Sequence, residues 1–97
     1  MTKAERAHMN RVSSLGCILC RRLGYNDTPA ELHHPRTGLG MGQRAKHFNV
    51  IPLCHIHHRS DQGVHGMGTR AFAAHYGVDE AGLLDDTRNL LNALFSK

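Results

Sequence analysis

The sequence predicts a small α+β domain: an N-terminal helix, a metal-clipped hairpin with a short helix behind it, and two C-terminal helices. Three observations lead there. The chain has 97 residues, 40% of them hydrophobic, with no Trp, three Phe and two Tyr. That suits one domain over residues 1–97 and leaves a thin core. Two ligand-like pairs, Cys17-x2-Cys20 and Cys54-x2-His57, stand far apart in sequence and offer a clip that such a core needs. Leu83, Leu84, Leu90, Leu91, Leu94 and Phe95 recur at helical spacing near the C-terminus.

Taken in order, Thr2-Lys3-Ala4-Glu5 is a capping-box pattern that opens a helix over about residues 3–14. Arg6, His8 and Arg11 give it a basic side, and Leu15-Gly16 ends it. Cys17 to Gly24 reads as a knuckle with two ligands on a tight turn, and residues 25–30 as loop. Glu31-Leu32-His33-His34, stopped by Pro35, fits the first strand of a hairpin; Phe48 to Leu53, with Pro52 near its end, fits the second. Residues 36–46 form the loop between them, with Gly38, Gly40 and Gly42 at alternate positions. From Cys54 to about Asp61 a turn becomes a helix carrying His57 and His58, broken by Gly63, so the hairpin and helix make a unit of about residues 31–62. Val64 to Gly68 reads as a second glycine-rich loop. Thr69 can cap a helix ending at Tyr76-Gly77, and Asp79 the next, placing the C-terminal helices at about residues 69–96. The leucine stripe is expected in the core, with a dimer face as the alternative.

Three cysteines is an odd number, which argues against a disulfide framework. The N-terminus lacks the apolar segment of a signal peptide, and no run of about 18 apolar residues exists, so a cytoplasmic protein without a membrane span is expected. In a reducing compartment, three thiols and an imidazole read as a tetrahedral structural zinc site: Cys17, Cys20, Cys54 and His57. His55 or His58 could replace His57 as the fourth ligand.

Charge is uneven. Residues 1–60 carry nine Lys/Arg against three Asp/Glu, and residues 61–97 three against five. A basic side of this kind suits a polyanion. No helix is rich in Asn, Gln and Arg at major-groove spacing, so backbone contact without sequence readout is expected. Arg36, Arg44 and Lys46, around the glycine-rich loop, are candidate phosphate contacts; Arg59, beside His58, is a better-placed one.

Five of the nine histidines fall between positions 47 and 65. Metal-assisted phosphodiester hydrolysis needs a divalent cation, a base that works near neutral pH, and a group that orients the base. A strand ending in His-His offers two of these, because adjacent strand residues face opposite sides. His65 lies seven residues after His58, two helical turns on, and is a candidate third metal ligand or phosphate contact. His47 is expected as a polar hairpin residue, His55 as exposed, and His8 and His75 as ordinary helix histidines.

Cys17-x2-Cys20, Glu31-Leu-His33-His34, Gly40-Met-Gly42, Asn49-Val-Ile-Pro-Leu-Cys54 and His57-His58 together resemble an HNH (ββα-metal) endonuclease. More closely they resemble phage and prophage nucleases of the recombination-enhancement (Ref) type, as do Met1-Thr-Lys-Ala-Glu-Arg6 and His65-Gly-Met-Gly-Thr-Arg-Ala-Phe72. The resemblance implies His34 as general base, oriented by Asn49 across the hairpin. It implies His33 and His58 as ligands of a catalytic divalent metal, Mg²⁺ or Mn²⁺ with Zn²⁺ as the alternative. It implies Zn²⁺ on Cys17, Cys20, Cys54 and His57, although many HNH proteins carry a cysteine where this chain has His57. It also implies DNA as substrate and a recombinase filament on single-stranded DNA as partner.

The expected activity is therefore metal-dependent, sequence-nonspecific DNA endonuclease action. Two rivals remain at this level: a non-catalytic zinc module that binds DNA or a recombinase, and a structural subunit of a phage assembly or dimer. The first would not need the His34–Asn49–His58 set. Gel filtration separates out the second, and the oligomeric state is open.

Overall fold

Each end of the chain folds as its local signals dictate. In a computed structural model, which describes residues 1–25, 28–35 and 47–95, α1 spans Lys3–Ser14. Thr2 caps it, accepting from the Glu5 amide, while the Glu5 carboxylate accepts from the Thr2 amide at 2.6 Å. Cys17 then caps α2 (Ile18–Arg22) through its own sulfur, which accepts from the Cys20 amide. Two short strands follow, β1 (Glu31–His33) and β2 (Ile51–Leu53), paired antiparallel with His33 opposite Ile51 and Glu31 opposite Leu53. Pro52 has no N–H to give, which a two-stranded sheet tolerates because each strand keeps a free edge.

β2 is buried along its whole length, so the sheet is a core element despite its size. Helices α1, α2 and the long C-terminal α6 (Glu80–Phe95) pack on it. Phe72, Leu19, Ile51, Leu53 and Leu83 are the large side chains sealed between them. α3 (His55–Arg59) leaves β2 through Cys54, and α4 (Val64–Met67) and α5 (Thr69–Tyr76) close the far side. Among the described residues, no helix is long and apolar enough to cross a membrane.

Four expectations shift. The second strand begins at Ile51 rather than Phe48, and His47 and Phe48 are helical. Val64 to Met67 is a short helix, not a loop. Thr69 is the first residue of α5 rather than its cap, which is Gly68. The leucine stripe is only partly absorbed: Leu83 and Leu84 are buried, whereas Leu94 and Phe95 stay 58% and 50% exposed. The glycine-rich segment with Arg36, Arg44 and Lys46 lies outside the described residues.

Candidate metal centres

Two groups of ligands meet around α3. The first is Cys17, Cys20, Cys54 and His57, whose donor atoms all lie within 4.8 Å of one another. The Nδ1 atom of His57 stands 3.6, 3.5 and 3.3 Å from the sulfurs of Cys17, Cys20 and Cys54. Cys20 and Cys54 sulfurs are 3.8 Å apart. A tetrahedral zinc with Zn–S of about 2.3 Å and Zn–N of about 2.0–2.1 Å demands S···N near 3.6 Å and S···S near 3.8 Å. The geometry therefore fits a zinc-sized ion, and it selects His57 over His55 and His58 as the fourth donor.

Local sequence builds this cluster. Cys17 at the cap of α2 and Cys20 one turn on present both sulfurs from a single turn; Cys54 caps α3 and His57 follows by the same interval. Burial drives the chemistry of the site. It pushes the Cys17 thiol up to about 12, with a neighbouring thiol opposing ionisation further, and it holds the His57 imidazole below its ordinary range. A neutral imidazole keeps its lone pair for a cation, and a divalent cation supplies the charge that buried thiolates lack.

The second group is His33, His58 and His65, again with donor atoms within 4.8 Å of one another. His33 ends β1 and is buried, as is His58 on α3; His65, on α4, is exposed. The Nε2 atoms of His58 and His65 are 3.1 Å apart. Two imidazoles sharing one cation at about 2.1 Å place their nitrogens about 3.0–3.4 Å apart. The contact depends on two glycines. A Cβ on Gly63 would stand 2.6 Å from the Ile56 carbonyl oxygen, and one on Gly66 would stand 2.1 Å from that of Ser60. Gly63 thus breaks the helix, as its sequence position suggests, but it also lets α4 fold back so that His65 rejoins His58.

Each buried histidine is backed by a carboxylate. The Nδ1 of His58 donates to Glu31 Oε1 at 2.7 Å, which leaves Nε2 as its lone-pair nitrogen. Glu31 in turn takes the Arg59 Nε at 3.3 Å, and His58 holds its carboxyl below the usual range. The Nε2 of His33 donates to Glu80 Oε2, a carboxylate 3% exposed at the start of α6. His33 Nδ1 is then buried with no hydrogen-bond partner among the described residues. A buried, unpartnered lone pair costs about 1–3 kcal/mol, and a cation is the natural occupant. Burial, reinforced by His33 and Arg59, keeps the His58 imidazole below its ordinary pKa. Carboxylate–histidine pairs of this kind fix the tautomer and ring of a metal ligand, and their loss typically weakens metal binding 10–100-fold. Glu80→Gln is accordingly expected to weaken Mn²⁺ binding to the zinc-loaded protein by about tenfold or more in calorimetric titration. Parental affinity in that variant would reduce Glu80 to a packing residue.

The other predicted residues fall around this centre. His34, the next residue after His33, is exposed, and its ring meets that of His47 edge-on with centroids 5.7 Å apart. Asn49 is buried, and its Oδ1 accepts from Arg88 of α6. Arg59 lies beside His58, tied to Glu31 with most of its side chain in solvent. Reading the residues alone missed Glu31, Glu80 and Arg88. Glu31 carried a signal, since it stands two positions before His33 and so on the same strand face. Glu80 and Arg88 carried none, because only the docking of α6 brings them here.

A family model described as "Recombination enhancement, RecA-dependent nuclease" matches residues 1–92. No curated protein matches the chain.

Proposed function

The chain belongs to this family of RecA-dependent nucleases of recombination enhancement, and from that membership we propose that it is a metal-dependent, sequence-nonspecific DNA endonuclease of the ββα-metal (HNH) kind. The observation that carries the reading is the meeting of His33, His58 and His65, two of them backed by buried or ion-paired carboxylates. A zinc clip alone would need none of these groups. The Cys17, Cys20, Cys54 and His57 quartet is the structural zinc site in this reading, and the three histidines hold the catalytic cation.

A divalent cation held by His33, His58 and His65 would supply positive charge to the scissile phosphate and the departing 3′-oxygen. The protein's own groups do the rest. His34, exposed next to the ligand strand, accepts the proton of the attacking water. Asn49, pinned by Arg88, fixes the approach to β2 opposite the strand that leads into His34. Arg59, already fixed beside His58 by Glu31, presents its guanidinium to a strand phosphate. Arg36, Arg44 and Lys46 add backbone contacts of the same sequence-blind kind. Within this reading the partner is a RecA-type filament on single-stranded DNA.

The direct test is incubation of the zinc-loaded protein with supercoiled plasmid and with single-stranded DNA. Mg²⁺ or Mn²⁺ is added, with and without a recombinase filament. Nicking or cutting that needs the added metal, falls steeply with salt and yields no preferred fragment ends is the expected result. A folded, zinc-loaded protein inert in every arm would leave a DNA- or recombinase-binding module in place of an enzyme.

A further inference from the structure

Helices α1 and α6 flank a cleft of about 570 Å³ lined by His8, Arg11, Arg88, Leu91, Asn92 and Phe95. Its chemistry is asymmetric. Among the described residues, two guanidiniums and an imidazole face it and no carboxylate does. Neither Arg11 nor Arg88 has a carboxylate partner among the described residues. Burial is the main cause that holds His8 below its ordinary pKa, and the two arginines add to it, a sign that their positive charge converges on the cleft. Leu91 and Phe95 of α6 add apolar surface beside Arg88, and Phe95 remains half exposed although it ends the helix that supplies much of the core.

The cleft is also wired to the candidate site. Arg88, which lines it, donates to Asn49 Oδ1, and the His8 ring packs against Phe48 at 5.2 Å between centroids. Phe48 and Asn49 are the residues that lead into β2. A ligand seated between α1 and α6 would thus lie one side chain away from Asn49, the residue assigned to orient the base.

We infer that this cleft takes one nucleotide of single-stranded DNA flanking the scissile phosphate, with its phosphate on Arg11 and Arg88 and its base against Phe95 and Leu91. The inference rests on the nuclease reading for the identity of the strand. Cationic groups paired with an exposed aromatic form the combination that binds unpaired nucleic acid, since guanidiniums neutralise the backbone and every base offers a face to stack. A duplex would keep its bases stacked inside and leave Phe95 unused. The volume is within the range of sites for molecules of this size.

The test uses His34→Ala as a non-cleaving background, without added divalent metal, and fluorescence anisotropy of a labelled oligothymidine and of a blunt duplex. Arg11→Ala is expected to raise the oligothymidine Kd about tenfold and to lower the salt slope by roughly one unit. Phe95→Ala is expected to raise it about tenfold with a smaller effect on the duplex. Both side chains are solvent-accessible, and unchanged thermal midpoints verify folding. Parental oligothymidine affinity in either variant overturns the assignment, as does an equal loss for duplex with Phe95→Ala. Failure of the nuclease reading looks different: both variants would lose oligothymidine binding while the parental protein cut nothing.

Discussion

Replacing His34 by alanine is expected to cut the rate of DNA cleavage by a factor of about 10²–10⁴ while leaving both metal clusters filled. The size follows from what a positioned general base contributes. The selectivity follows from geometry. His33 is buried against Glu80 and turned toward His58 and His65, whereas its neighbour His34 is exposed and outside that group. The two substitutions should therefore separate. His34→Ala lowers kcat with Mn²⁺ affinity unchanged; His33→Ala lowers both, because it removes a ligand and leaves the Glu80 carboxylate buried without its imidazole. Single-turnover cleavage of plasmid, with Mn²⁺ titrated in parallel, reads both quantities. His47 is the control that matters, since its ring stands edge-on to that of His34. Parental cleavage by His34→Ala together with loss in His47→Ala would move the base to the second residue. Parental cleavage in both would leave the histidine-base mechanism without a residue.

How much of this was readable from sequence depends on whether the determinant was local. The capping box of α1, the paired x2 spacings and Asp79 before α6 act within one turn of backbone, and they appear where the pattern places them. The histidine pair and His58 were legible as chemistry through family resemblance. Their mutual distance was not, because it depends on β1 pairing with β2 and on α3 returning across the sheet. His65 shows the boundary most clearly. Its heptad spacing from His58 suggested a shared helical face, and Gly63 argued against one continuous helix. Only the second hint holds: two short helices in tight backbone contact at Gly63 and Gly66 bring the rings together without a common axis or a shared helical face. The late start of β2 has a related cause. Phe48 suits a strand by composition, but its ring packs on His8 of α1, and tertiary contact overrides a weak local preference. Glu80 lay beyond reach, for nothing around it in sequence distinguishes a buried partner of His33 from an ordinary acidic residue in the first turn of a helix.

Cys54→Ser should release about one zinc per chain and unfold the domain, an effect on stability larger than that of any other single change considered. Structural zinc in small domains contributes about 10–16 kcal/mol of apparent binding free energy, and a domain of this length has a total stability of about 5–15 kcal/mol. A loss of most of the first term cannot be absorbed by the second. Position sharpens the case. Cys54 ends the path of the buried strand β2 and caps α3, while Cys17 and Cys20 frame α2, so the cluster ties three elements of the thin core across a separation of 34 residues or more. Metal also resolves an electrostatic problem, since burial, with the neighbouring thiols, pushes the Cys17 thiol up to about 12 and three clustered thiolates would repel one another. Because the ligands must shed protons to bind, zinc should be lost as pH falls, and chelators should produce the same unfolding at neutral pH. Far-UV circular dichroism with metal analysis by mass spectrometry reads fold and stoichiometry together. Two further variants locate the fourth ligand: His57→Cys should keep both zinc and fold, and His55→Ala should change neither. If Cys54→Ser retained a cooperative melt and its full zinc content, the quartet would not be the structural site. If His57→Cys kept the metal while His55→Ala lost it, the fourth donor would be His55 rather than His57.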